Sequence, residues 1–217
     1  MTPFNPFDDA AIAGGYESWY ETEGAGADQA ERRLLSRWLA RLGPPGTALE
    51  IGCGTGHFTR WLAALGWQVA GVDVAAPMLA EAARRGGPAY VRAHSGGLPF
   101  ADAAFDVALM ITSLEFMPDP ARALREAARV ARRGLALGVL NAWSLMGWQR
   151  KRSRLPVWQA AHFYSPFELS RRARQCCARP IAGVEWATTL LPGRLEQRIS
   201  RLPFGGFIGL CVVFGDT

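Results

Sequence analysis

The stretch Leu49-Glu50-Ile51-Gly52-Cys53-Gly54-Thr55-Gly56 restricts the fold more than any other part of this chain. Apolar residues suited to a buried strand run straight into three glycines at alternate positions. Phe58, Trp61, Leu62 and Leu65 then recur at helical spacing, and Gly66 can cap that helix. Glycine takes φ > 0 without steric cost and lets backbone come close to a ligand. A strand, a glycine turn and a helix in that order open a parallel α/β sheet. Its ligand crevice lies beyond the carboxyl end of the strand.

The alternation continues along the chain. Residues 68–72 read as a second strand, and 77–85 as a helix with proline in its first turn. Residues 89–92 make a third strand, and 105–111 (FDVALMI) a fourth, apolar enough for burial on both faces. A helix over 121–132, N-capped by Asp119, leads to a fifth strand at 135–140. Upstream, residues 28–42 place Leu34, Leu35, Trp38, Leu39 and Leu42 on one stripe, and Gly43-Pro44-Pro45-Gly46 breaks the chain. Downstream, 142–151 and 166–177 read as helices. Residues 184–191 and 207–214 read as strands with no long helix between them, as an antiparallel pair at a sheet edge would. This pattern predicts an α/β chain, doubly wound, with helices on both faces of a mostly parallel sheet.

Size and composition set the remaining bounds. At 217 residues, 49% hydrophobic and 20% charged, the chain is expected to form a single domain with a real core. Its four cysteines make no disulfide framework, and no pair has zinc-ligand spacing, so no metal is expected. The start, MTPFNPFDDA, carries neither the basic nor the apolar region of a signal peptide. The longest apolar run, 204–214, is too short to span a bilayer. A cytoplasmic location is expected. Charge is uneven: residues 1–140 carry 13 basic and 15 acidic side chains, residues 141–217 carry 11 and 4. A basic final third suits an anionic partner, a membrane surface or nucleic acid, or simply an arginine-rich solvated face. No sequence feature selects an oligomeric state.

Asp73 ends the second strand, 17 residues after Gly56, where a carboxylate can take both hydroxyls of a ribose. The loop is G-x-G-x-G, with His57 where a dinucleotide fingerprint would place its third glycine, and no phosphate-gripping P-loop is present. Glu50, just before the loop, would repel a pyrophosphate but can accept hydrogen bonds from an amino group or water. A cationic, phosphate-free nucleoside fits these features, and S-adenosylmethionine is one.

At this point the residues resemble a family. ALEIGCGTGHFT, VAGVDVAAPML and GGLPFADAAFDVALMITSLEFMPDPARALREAARV, in that order, are similar to the motifs of class I S-adenosylmethionine-dependent methyltransferases. The likeness is to the type 11 group, which includes ubiquinone and menaquinone biosynthesis enzymes. It implies a Rossmann-like seven-stranded sheet with a closing antiparallel strand. Residues 1–45 would be an N-terminal helical cap, 46–141 the cofactor-binding core, and 142–217 the substrate-side helices and closing strands. It also implies that Gly52, Gly54 and Gly56 line the cofactor, with Glu50 and the small Cys53 beside them, and that Asp73 holds the ribose. Val74 and Met78 would pack near the adenine. The family often has an aspartate five residues before the proline of LPF; here that position is His94, a neutral acceptor beside Ser95. Thr112, at the end of the fourth strand, and Tyr20, in an aromatic N-terminal segment with Phe4, Phe7, Tyr16 and Trp19, complete the expected cofactor set.

For chemistry, Glu115 follows the fourth strand and is a candidate general base, or else an exposed loop charge. Many related enzymes carry a histidine one residue on, where this chain has Phe116. His162, with Tyr164, is a second candidate from the substrate side. Trp143, Met146 and Trp148 beside Arg150-Lys151-Arg152 are expected to roof the site while the basic groups face water; a peripheral membrane contact is the alternative. Cys176-Cys177 is read as packing rather than a soft-metal pair. The expected reaction is methyl transfer to a small or lipophilic acceptor through an O, C or N nucleophile. The alternatives are an RNA or protein methyltransferase docking through the basic third, and a non-catalytic cofactor-binding regulator. Nucleic acid is not the expected partner.

Overall fold

The structure is a computed structural model, and it describes residues 5–215; Phe4 lies outside them. Seven strands form one sheet: β1 (Thr47–Ile51), β2 (Gln68–Asp73), β3 (Ala89–Arg92), β4 (Phe105–Ile111), β5 (Ala131–Leu140), β6 (Ile181–Thr189) and β7 (Phe207–Phe214). Their order is β3-β2-β1-β4-β5-β7-β6. The first five strands are parallel, and β7 runs antiparallel to both β5 and β6. The fold is the Rossmann-like α/β sheet that the glycine loop and the alternation predict.

The helices are α1 (Ala10–Gly15), α2 (Ser18–Glu21), α3 (Ala25–Leu42), α4 (His57–Ala64), α5 (Ala76–Arg85), α6 (Pro120–Val130), α7 (Leu145–Lys151), α8 (Pro156–Ala160) and α9 (Pro166–Cys176). β4 shows why the sheet needs cover on both sides. Val107, Leu109 and Ile111 join one apolar cluster with Leu34, Leu35, Trp38, Phe58 and Leu62 of α3 and α4. Ala108 and Met110 join the other, with Leu124, Ala127, Leu169 and Ala173 of α6 and α9. Successive strand residues face opposite sides, so a strand apolar throughout must be buried on both. Of the expected cap, α1 packs on α5 while α3 lies against β5, β6 and β7.

Several boundaries differ from those read in the sequence. The helix expected to reach residue 132 stops at Val130, and β5 begins at once. Asp106 explains the change. Arg132 and Arg133 leave the backbone as strand residues and both reach its carboxylate, at 2.8 and 3.1 Å. β6 spans 181–189 rather than 184–191, because Leu190 turns the chain with φ +61. The region 142–144 is a turn, and α8 was not expected at all. No helix among the described residues is long and apolar enough to cross a membrane.

Candidate active site

The glycine loop sits at the carboxyl end of β1. Gly52, Gly54 and Gly56 all have positive φ (77, 54 and 79°), but they are glycines for different reasons. A Cβ on Gly52 would collide with Ser113, and one on Gly56 with the Tyr90 ring. A Cβ on Gly54 would meet nothing within 4 Å. Gly52 and Gly56 are therefore set by packing, and Gly54 alone faces open space. The Gly52 and Cys53 N–H groups both donate to the Val72 carbonyl, at 2.7 and 3.0 Å, which pins the loop to β2. Asp73 completes the join: its two oxygens accept from the Gly54 N–H at 2.8 Å and the Ala75 N–H at 2.9 Å. Burial pushes its carboxyl up despite those donors. Inside the loop, the Thr55 hydroxyl is buried without a partner.

The other expected cofactor residues spread around this edge. Val74 is exposed, at 45%, next to the open space by Gly54 and Asp73. Met78 is buried against Ala13 and Ala75, on the side where α1 meets α5. Cys53 is buried and burial raises its thiol, consistent with a packing role. Ser95 is half-buried beside the exposed His94. Thr112 turns β4 out of the sheet with φ +47, and its N–H donates to Gly138 at 2.8 Å.

Two of the expected cofactor residues already have partners within the chain. Glu50 faces inward: it is 1% exposed, the Thr59 hydroxyl donates to it, and burial pushes its carboxyl up to about 8. Its carboxyl serves the seat of α4 on β1 rather than the outer side of the loop. His94 accepts the Gly96 N–H on Nδ1 at 3.0 Å, so its one ring hydrogen sits on Nε2.

The N-terminal segment closes over the loop by stacking and by charge. Tyr20 is buried and stacks on His57, with centroids 3.9 Å apart, while Tyr16 and Trp19 meet its edges. Glu17, which sequence reading passed over, binds Arg60 of α4 at 2.6 Å and Arg85 of α5 at 3.1 Å. Arg60 also donates to the Thr55 carbonyl at 2.8 Å. One arginine thus grips both the segment and the glycine loop.

Glu115 is not an exposed loop charge. It is 2% exposed at the carboxyl end of β4, in a short 3-10 turn over Leu114–Phe116. Its Oε1 accepts the Leu140 N–H at 2.6 Å, and its Oε2 is buried with no partner. Burial raises its carboxyl to about 7, against the pull of that N–H and of Arg150. His162 stands beside it through backbone, its N–H donating to the Glu115 carbonyl at 2.8 Å. The imidazole points away: it is half exposed and pairs with Glu168 at 3.0 Å.

Two residues missed in the sequence complete this end. Glu31 of α3 is 4% exposed, and burial pushes it up to about 8. Its signal was present: it lies three, four and seven positions before Leu34, Leu35 and Trp38, on the buried stripe. Arg150 was expected to face water; instead it turns inward toward Glu31, Glu115, Tyr16 and Tyr20, and burial lowers its guanidinium. Trp143 and Trp148 remain about half exposed. A separate groove of about 780 Å³, lined by Arg122, Arg125, Arg129 and Arg179, lies on the α6–α9 flank and shares none of these residues. Cys176 and Cys177 are raised by burial, and no group of three or more metal-ligating side chains occurs among the described residues.

With this geometry in place, similarity to known proteins is informative. Residues 49–137 match the model of a family described as "Methyltransferase domain". An uncharacterized protein of Methanocaldococcus jannaschii is 32% identical over 71% of this chain and 72% of its own length. The chain belongs to the class I S-adenosylmethionine-dependent methyltransferases. A malonyl-[acyl-carrier protein] O-methyltransferase of Pseudescherichia vulneris is 35% identical over 58% of this chain. That alignment spans 54% of the relative, so the chain matches about half of that protein's length. A solved structure from Thermotoga maritima, titled a SAM-dependent methyltransferase and "possible histamine N-methyltransferase", is 26% identical with TM-score 0.73. It covers 95% of this chain and 98% of its own. The cofactor is S-adenosylmethionine, and the site fits it. The space before Gly54, a carboxylate tied to that glycine's N–H, and an unpartnered Thr55 hydroxyl form a cradle that a Cβ would fill.

Proposed function

We propose that this methyltransferase moves the methyl group to a small organic acceptor, with O, C or N as nucleophile, held beside Glu115. Gly54 and Asp73 hold the nucleoside, with Val74, His94 and Ser95 along its base. When bound, S-adenosylmethionine supplies a methyl activated on a sulfonium, whose leaving group is a neutral thioether. The chain's own task is chiefly placement: the nucleophile must lie in line with the bond to be broken. The observation that carries the reading is the Glu115 Oε2, buried and unpartnered at the strand end where acceptor and cofactor meet. A carboxyl raised to about 7 can take a proton from an acceptor at neutral pH. The closed cap of Tyr16 and Tyr20 keeps water from the reacting atoms and favours small acceptors over macromolecules. His162, paired to Glu168 at the rim, stands where a proton can pass to solvent.

Calorimetric titration with S-adenosylmethionine and S-adenosylhomocysteine, with NAD as control and Asp73→Ala alongside, tests the cofactor site. Micromolar binding of the first two, lost in the variant and absent with NAD, is the expected result. No binding to the wild-type chain would overturn the reading.

A cytoplasmic protein with peripheral membrane contact is also proposed. Trp143, Leu145 and Trp148 are 50–61% exposed, and the Arg152 guanidinium lies 3.9 Å from the Trp148 ring, a pairing suited to a lipid interface. Co-sedimentation with anionic vesicles, weakened in Trp148→Ala, would support it; equal recovery of both proteins without vesicles and with them would not.

A further inference from the structure

Basic residues outnumber acidic ones here, 24 to 19, and among the described residues eight acids have a basic partner within 4.0 Å. Glu17 lies between Arg60 and Arg85, Asp28 between Arg32 and His57, and Glu81 between Arg84 and Arg85. Asp106 is held by Arg132 and Arg133, Glu126 by Arg129, and Glu168 by His162 and Arg172. Among the described residues, the buried glutamates with no basic group within 4.0 Å are Glu31, Glu50 and Glu115. Glu50 has Thr59. Glu31 accepts no side-chain hydrogen bond among the described residues, and Glu115 leaves Oε2 bare.

A cation stands nearby and is held back. Arg150 faces both carboxyls closely enough to pull on each, yet pairs with neither. Its guanidinium instead lies 4.5 Å from the centroid of the Trp158 ring. Two buried carboxyls and one guanidinium leave one negative charge unmatched. Burying an unmatched charge is costly, so the fold is complete only with a positive ligand or with bound protons. Aromatic rings stand by: Phe7 meets Phe116 at 5.0 Å and Tyr16 at 6.1 Å, and such rings attract cations.

We propose that the methyl acceptor is an amine, seated as its ammonium between Glu31 and Glu115 with Arg150 matching the second carboxyl. This rests on the methyltransferase reading above and narrows its acceptor. A phenol or acid would bring no positive charge, and would develop an anion where one already lacks a partner. With an amine, Glu115 Oε2 takes one N–H proton, which frees the nitrogen lone pair. The N–C bond forms as the C–S bond breaks, and that bond's electron pair leaves on sulfur as the neutral thioether. The product is the N-methylammonium, and the proton on Glu115 returns to water. Glu31 holds the charge of the bound amine and takes no proton in the step.

The test is binding, free of turnover. At saturating S-adenosylhomocysteine, calorimetry would compare 2-phenylethylamine and benzylamine with 2-phenylethanol and p-cresol, on wild type, Glu31→Gln and Glu115→Gln. The amines should bind at least roughly tenfold tighter than the hydroxyl compounds, a gap of about 1.4 kcal/mol. Each variant should lose that preference while keeping wild-type affinity for S-adenosylhomocysteine. Failure of both amines to bind, equal or tighter binding of the hydroxyl compounds, or an unchanged preference in both variants would overturn the amine proposal. Failure of wild type to bind S-adenosylhomocysteine would instead strike the methyltransferase reading itself.

Discussion

The carboxyl edge of the sheet has two halves, built by opposite means. The half at β1 and β2 is made of backbone: three left-handed glycines, two N–H groups on the Val72 carbonyl, and a carboxylate locked to Gly54 and Ala75. Among the fully buried side-chain polar atoms of that half, the Thr55 hydroxyl is the one without a partner among the described residues. The half at β4 and β5 is made of side chains from distant segments, Glu31, Glu115 and Arg150, which face one another without pairing. A half fixed by backbone suits a ligand that never changes. A half held by unpaired side chains suits one that varies from enzyme to enzyme and settles the charges on arrival.

The sharpest way to break this comparison is Glu115→Gln. Turnover should fall about a hundredfold or more, the usual scale for a lost general base, while S-adenosylhomocysteine affinity is unchanged. Equal losses in both would mean that the two halves are one site. On the other half, Gly52→Ala should cost about 3 kcal/mol in denaturant unfolding, since it adds both left-handed strain and a clash with Ser113. Gly54→Ala carries the strain without the clash. It should cost about 1 kcal/mol of stability and be felt mainly as weaker S-adenosylhomocysteine binding. Comparable unfolding of the two variants would remove the distinction drawn between these glycines.

The smallest effect is a matter of pH. The Glu31 carboxyl rises from its ordinary 4.5 to about 8 on folding, so the folded chain holds a proton there that the unfolded chain has lost. The stability it contributes is full below about 4.5 and is lost as pH rises through about 8. The Tm of the ligand-free wild type should therefore fall from pH 5 to pH 8, and less so for Glu31→Gln, which keeps a neutral side chain throughout. Parallel curves would show that Glu31 is not carrying that proton.

The same contrast explains what could be read from the sequence. Glycine spacing, strand periodicity and Asp73 are local features, and they led to the sheet, the loop and the cofactor. Partnerships are not local. Nothing in the run Arg150-Lys151-Arg152 separates the one residue that turns inward from its neighbours. The exit from α6 was misread because Arg132 and Arg133 look helical until Asp106, on the neighbouring strand, is known to receive them. The orientation of His94 depends on a contact with Gly96 that composition does not display. Glu31 was the one hidden member with a visible sign, a charge set into an apolar stripe.

Glu17 turns the closed N-terminal segment into a clock. It is held by two arginines, one of which also grips the Thr55 carbonyl beneath. If cofactor and product leave beneath this segment, each turnover requires that the electrostatic latch be sprung and reset. Charges at a partly wetted surface are screened by salt. If release sets the pace, the enzyme should run faster as ionic strength rises, until the segment no longer stays shut long enough for the chemistry beneath it.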